Sequence, residues 1–491
     1  MTHFSQPSFL SGPPQPLILT IENQQADPFD LYRRMAVSSQ PSFLLESGKG
    51  PGAHYSFLGS SPSALLIGRD EQSSYKTNEG RELTLHNPFA SLGGLMAGAL
   101  VQKTDGLPPF IGGAVGYMSY DLVRQFESLP SISIDDLSLP DLQFSFYDVI
   151  AAIEHHTHSI HLIFCPSGER FLGEPREKLY REGLDRLAAF EAQLMATPMK
   201  SSASPNIRQA SFHPEQTQAA YMHRVRRCQD YIAAGDIYQA NLSHRFTVDV
   251  DGMSQSSRDR LFDAQELYGR LRRVNPSPFS GLLHFDDVTL VSCSPERLVC
   301  LHGRQADTRP IAGTRPRGRD EIDDRRLVRD LLSNEKERAE HLMLVDLERN
   351  DLGRVCQFGT VQVDEFMTIE QYSHVSHIVS NISGTLRPDA TPFDLIKAMF
   401  PGGTITGVPK IRCMEIIEEL EPVRRGPYTG SFGYLSWNGN LDLNIAIRTL
   451  VLGRQRGYVQ VGAGIVADSD PSKEYEETLH KAQAFFSSLT R

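Results

Sequence analysis

YTGSFGYLSWNGNLDLNIAIRTLVLGRQRGYVQVGAGI, residues 428–465, is the stretch on which the fold turns. Asn438-Gly439 is a strong hairpin signal, because Asn and Gly accept the positive φ that a tight turn between antiparallel strands requires. The runs around it predict successive strands at Tyr428–Trp437, Leu443–Leu452 and Tyr458–Ile465. After them Glu474–Leu489 reads as a closing helix. Working upstream, Thr391–Phe400 and Pro409–Glu419 predict helices flanking a Gly-rich turn, and Asp323–Leu352 predicts one long charged helix. Ser280–Phe285 and Val288–Ser292 form a hairpin pattern around Asp286-Asp287, followed by Leu298–Leu301. Ile237–Val250 reads as a strand, and Thr217–Ala234 as a helix closed by Gly235. Strands joined by hairpins with helices on one side define an α+β protein with a mainly antiparallel sheet.

Residues 196–212 are rich in Ser, Pro and small residues and read as a linker. Before it lie a charged amphipathic helix, Glu174–Leu194, and strand-like runs such as Ala64–Ile67 and Leu142–Ile150. The expected organisation is an N-terminal region, 1–195, the linker, and a second domain, 213–491.

The 491 residues suffice for two or three ordinary domains, or one large one with an extension, and 40% hydrophobic with 22% charged residues is the composition of a soluble globular chain. A net charge of −11 argues against nucleic acid or anionic membrane as the main partner, while local Arg and Lys can still hold a small anion. No apolar run approaches the roughly 18 residues that span a bilayer. Met1–Pro16 lacks the basic and apolar regions of a signal peptide. Six scattered cysteines without CxxC predict buried thiols in a reducing cytoplasm, not a zinc site or disulfide framework.

The chemistry begins with carboxylates. Glu340-His341 lies inside the long charged helix, and Glu474, Glu476 and Glu477 open the last one. Glu474 and Glu477, three apart, share a helix face. Carboxylates converging from two distant helices suit Mg²⁺, which prefers oxygen ligands, keeps waters and often bridges to an anionic substrate. Each glutamate alone is equally what a solvated helix face contains.

The surrounding runs decide between these readings. PIAGTRPRG (310–318), EHLMLVDLERNDLG (340–353), FPGGTITGVPK (400–410), NIAIRT (444–449), GAGIVADSDP (462–471) and EYEETLHKA (474–482) resemble the chorismate-utilising enzymes. That family includes anthranilate, aminodeoxychorismate, isochorismate and salicylate synthases. FLLESGKG (43–50) and YSFLGSSP (55–62) extend the likeness into the N-terminal region, as in the two amine-forming branches. The resemblance implies a large, mainly antiparallel β-sheet sandwich covered by helices, with 213–491 as the chorismate-binding catalytic domain. It implies Mg²⁺ held by Glu340 and Glu477, with Glu474 a further candidate. It implies substrate contacts from Gly313, Thr314, Tyr428, Arg448, Gly462, Ala463, Gly464 and Lys481. Arg448 and Lys481 make physical sense there, since chorismate carries two carboxylates. Glu296 and His377 match acid–base positions, and Thr404 and Gln239 join them in the catalytic set.

Water-using members of the family carry a Lys base where this chain has Gln239, and a Gln cannot deprotonate water. Ammonia needs no such base. YQANL, SPERL, PFS at 278–280 and Gly402 are similar to the aminodeoxychorismate-forming branch, whereas Ala312 in PIAGT is similar to the anthranilate-forming one. The expected reaction is amination of chorismate to 4-amino-4-deoxychorismate, on the 4-aminobenzoate and folate route; the alternative is conversion to anthranilate and pyruvate. No Gly-x-Cys-x-Gly nucleophile elbow is present, so ammonia is expected from a separate glutamine amidotransferase subunit. Ser47 resembles the serine of a tryptophan-binding regulatory site, but Pro278, Phe279 and Ser280 stand where that site has Pro-Tyr-Met, so a degenerate site is expected. A non-catalytic tryptophan-binding homologue would need a broken catalytic set, and Glu296, Thr314, Glu340, His377, Arg448, Glu477 and Lys481 are all present.

Overall fold

The computed structural model describes all residues except 1, 5–6, 11, 23–24, 37–39, 48–53, 98–100, 102–105, 197–209, 251–256, 373–374, 454–455 and 490–491. Most of the expected linker, and Gly48–Gly50 of the FLLESGKG run, therefore lie outside the described residues. Two large sheets carry the fold, and their named strands pair antiparallel throughout. The hairpin at Asn438-Gly439 is present, with Gly439 at φ +82 and Ser431–Ser436 paired to Leu441–Ile445.

Both sheets run across the expected boundary at 196–212. In the first, Ser42–Ser47 pairs with Phe279–His284. In the second, Gly113–Met118 pairs with Ser431–Ser436. The sheets face one another through aromatic side chains such as Phe57 against Tyr434, with ring centres 5.4 Å apart. One apolar core draws on residues from both halves of the chain. A smaller one, including Tyr221, Leu242, Cys413 and Ala463, lies beneath Gln218–Ala233 and Lys410–Leu420. The six cysteines form no disulfide. Among the described residues no helix is long and apolar enough to cross a membrane.

Three expectations need correction. Leu443–Leu452 is not one strand: Leu441–Ile445 belongs to the second sheet and Thr449–Leu452 to the first, with residues 446–448 crossing between them. Leu142–Ile150 crosses in the same way at Asp148, between Leu142–Tyr147 and Val149–Glu154. Both segments are buried along nearly their whole length and read as one strand, because a strand that stays in one sheet and a strand that changes sheets present the same local pattern. The long helix Asp323–Leu352 is two, Glu321–Ser333 and Glu335–Gly353. Asn334 separates them: its φ/ψ are extended and its side chain accepts from the Glu337 N–H at 3.0 Å, a cap on the second helix.

Candidate active site

The crossing at 446–448 places Arg448. Its φ of +48 is unusual for a residue with a side chain, and it marks the point where the chain leaves one sheet for the other. Its carbonyl accepts from the Cys293 N–H at 3.0 Å. Among the described residues no carboxylate forms an ion pair with its guanidinium. Burial holds its pKa below the ordinary value, and the nearby Cys293 and Glu296 oppose that.

Glu296 lies in the turn that leads into Arg297–His302 and is buried. Burial pushes its pKa up to about 7, against the pull of Thr404, the Ile311 N–H, Arg448 and Lys481. Apart from one another, its Oε1 and the buried Thr404 hydroxyl beside it find no partner within the fold. A buried carboxyl poised near neutrality can be protonated when a reaction begins and ionised when it ends, as a general acid must be. His377 is buried opposite Thr314 in the second sheet. Its Nδ1 lies 2.9 Å from Thr314 Oγ1 and 3.4 Å from the Gly313 carbonyl. Burial, then Arg448, lowers its pKa to about 4, so the ring is neutral near pH 7. Gly313 forms a bulge in this ladder with φ +70, a conformation that favours glycine, and a Cβ there would also press on Glu337 and Leu331.

The opposite wall comes from the first sheet. Gly457–Ile465 pairs with Gln239–Val250. A Cβ at Gly462 would collide with Asn241 Oδ1 and approach Tyr428 Oη to 2.7 Å; one at Gly464 would collide with the Gln239 amide. These glycines keep the wall clear. Ala463 points the other way, into the smaller core, so only its backbone can face a ligand. Behind this wall Arg425 is fully buried, paired with Glu421 at 2.8 Å and donating to the carbonyls of Asn241 and Ile405 at 2.6 and 2.9 Å. It also lies over the rings of Tyr120 and Tyr428, which fixes the tyrosine in place.

Lys481 donates to the Gly462 carbonyl at 2.8 Å and pairs with Glu477 at the same distance, both side chains about half exposed. The pKa of Glu340 is raised by burial, with Glu337, Glu477 and Asp468 adding to it and Lys336 opposing. Glu474 is buried and likewise raised, by burial and then Glu477, against a bond from Ser469. Among the described residues no three His, Cys, Asp or Glu stand close enough to form a metal cluster. Glu477 raises the pKa of both Glu340 and Glu474, while Lys336 and Lys481 offset only part of that repulsion, and such a donor set fits a cation that keeps waters and shares a substrate's oxygens.

The expected tryptophan-site residues gather elsewhere. Ser47, Pro278, Phe279 and Ser280 line a cavity of about 550 Å³ between the sheets. It backs onto the catalytic side through Pro295 and Ile311. The Ser47 hydroxyl is spent on the Tyr55 carbonyl at 2.6 Å, and Ser280 donates to the Ser277 carbonyl at 3.1 Å. Phe279 is covered by the Arg297 guanidinium, 5.0 Å from its ring centre. Tryptophan is therefore expected to inhibit ammonia-dependent turnover weakly or not at all in a titration; strong inhibition at micromolar concentration would contradict this reading of the wall.

Asn241 is not among the expected site residues. It lies inside YQANL, two residues after Gln239, and a period of two on a strand was the available signal.

A family model described as chorismate binding enzyme matches residues 40–487. The chain is 43% identical over 463 residues to anthranilate synthase component 1 of Thermus thermophilus, covering 94% of this chain and 95% of that one. It is 40% identical over 456 residues to aminodeoxychorismate synthase component 1 of Bacillus subtilis, covering 92% of each. Among solved structures, anthranilate synthase component I from Streptococcus pneumoniae superposes with a TM-score of 0.76 at 34% identity, covering 90% of this chain and 93% of that one. This chain belongs to the chorismate-utilising enzyme family.

Arg448 is the strongest test of anchoring in this site. Arg448→Ala is expected to weaken kcat/KM for chorismate well over tenfold, since loss of a buried charge-assisted contact costs on the order of 2–5 kcal/mol. Unchanged steady-state kinetics would remove Arg448 from the site.

Proposed function

We propose that this chain aminates chorismate with ammonia to 4-amino-4-deoxychorismate, in the cytoplasm, using Mg²⁺ and a partner glutamine amidotransferase as the natural ammonia source. The observation that carries the reading is the uncharged amide of Gln239 against Gly464, where a water-activating enzyme of this family would need a base. Relatives on both amine-forming branches are similar over nearly the whole chain, and their names as component 1 suit a second subunit.

In this reading Arg448 and Lys481 hold the substrate carboxylates, and the glycine wall lets the ring approach the backbone. Glu296 donates its proton to the departing 4-hydroxyl, which leaves as water. Neutral His377, with Thr314, orients the ring. Glu340 and Glu477, with Glu474 beside them, would hold Mg²⁺, which when bound supplies the positive charge that a substrate carboxylate needs next to three others. Ala312 has no amine, so ammonia attacks the ring directly with no covalent adduct to the protein.

The same absence of an amine at Ala312 favours a second reading, addition of ammonia at C2 with elimination of pyruvate to give anthranilate. Product identification separates them. Purified chain, chorismate, Mg²⁺ and ammonium at mildly basic pH should give a product that becomes 4-aminobenzoate only after a separate lyase is added. Fluorescent anthranilate would establish the second reading, and isochorismate as the main product without ammonium would overturn both.

A further inference from the structure

Two side-chain acceptors on Gln239–Val250 have no use within the fold. Gln239 Oε1 and Asn241 Oδ1 are buried, and neither receives a hydrogen bond. Residues two apart on a strand share a face, and here Asn241 turns its Oδ1 toward Gly462 while Gln239 sets its amide nitrogen against Gly464, its unpartnered Oε1 being the other end of the same amide. The rest of Asn241 is fully engaged along its backbone. Its N–H donates to the Thr406 carbonyl at 2.9 Å, and its carbonyl accepts from Arg425 at 2.6 Å. The next residue on the same face cannot help, because Ser243 Oγ already accepts from Gln460 at 2.7 Å. Buried amide oxygens left in this state cost stability, and they persist where a ligand supplies the missing donors.

We propose that Asn241 and Gln239 together form the subsite that holds ammonia beside the ring. The inference rests on the amination reading given above. Ammonia has three N–H donors and one lone pair. Donating to both amide oxygens fixes its nitrogen and leaves the lone pair free for the ring carbon. As the C–N bond forms, the C–O bond to the 4-hydroxyl breaks, and its electron pair leaves with the oxygen, which takes the Glu296 proton and departs as water. Nitrogen becomes cationic in this step and then loses its extra proton to solvent. The negative ends of two amide dipoles stabilise that developing charge, where a lysine at either position would oppose it. The glycines opposite leave no side chain to crowd the nucleophile.

The test is steady-state kinetics of the full-length protein with Mg²⁺, chorismate and ammonium chloride. Asn241→Leu, which fills a similar volume without an acceptor, is expected to raise KM for ammonium about tenfold or more, one lost hydrogen bond. KM for chorismate should stay within about twofold, and thermal stability should not fall, since an unsatisfied acceptor is removed. Asn241→Asp keeps an acceptor and should retain the lower KM for ammonium. Gln239→Leu removes the neighbouring acceptor and should give the same split, which keeps the test open if Asn241→Leu does not fold. Unchanged KM for ammonium in the leucine variants, or equal weakening toward both substrates, overturns the subsite while leaving amination standing. Failure of the wild type to form any amine product overturns the amination reading and the subsite with it.

Discussion

Glu296→Gln is expected to lower kcat by about 10²–10⁴-fold, the usual contribution of a positioned proton donor, while making the fold harder to unfold above pH 7. The two effects share one cause. Burial raises the folded-state pKa to about 7, so the protonated carboxyl is favourable in the folded state below the ordinary carboxylate pKa, and that advantage is lost as pH rises through 7. Above pH 7 the wild type carries an ionised carboxylate in a buried place. An isosteric amide removes that burden, a gain of up to roughly 3 kcal/mol for a shift of this size. The kinetic signature is equally specific. Expressed per concentration of free ammonia, wild-type turnover should fall above pH about 7 as Glu296 loses its proton, and the variant's residual rate should not. Full activity with an unshifted unfolding curve would remove Glu296 from the mechanism.

The second large effect is at the carboxylate cluster. Glu340→Gln should abolish most Mg²⁺-dependent turnover without harming the fold, because Glu340 already works against burial and the charges of Glu337, Glu477 and Asp468. A readout apart from activity is available. Mg²⁺ that binds only the folded wild type raises its melting temperature in proportion to ln(1 + [Mg²⁺]/Kd), and that shift should vanish in the variant. Retained Mg²⁺-dependent turnover would overturn the assignment of Glu340 as a ligand.

The elements were legible in the sequence where local chemistry decides them. Asn438-Gly439 announces its hairpin, and Gly235, at φ +82, closes its helix as glycine should. The sheet changes at Asp148 and 446–448 were not legible, because nothing in a strand-forming run says which neighbour it will choose. The break at Asn334 was legible in principle: Asn with Glu three residues on is a helix-start signal, but the charged pattern continues through it. For the site, motif resemblance supplied residue types, whereas their meeting in space is tertiary. Glu296, Thr404, Arg448 and Lys481 come from four separate segments, and no spacing rule links them. Ala463 shows the limit of the motif reading, since its side chain serves the smaller core.

The sharing of both sheets between the two halves of the chain also governs how the protein must be born. Ser42–Ser47 and Gly113–Met118 each obtain one partner from nearby sequence, but their second partners, Phe279–His284 and Ser431–Ser436, leave the ribosome much later. Until then the nascent N-terminal half carries open, apolar strand edges, the surfaces that misassociate and that chaperones cover. Assembly is dominated by contacts distant along the chain, which slows it. The candidate pocket, whose arginine lies at the crossing between the sheets, comes into being only after strands from both halves of the chain have been made.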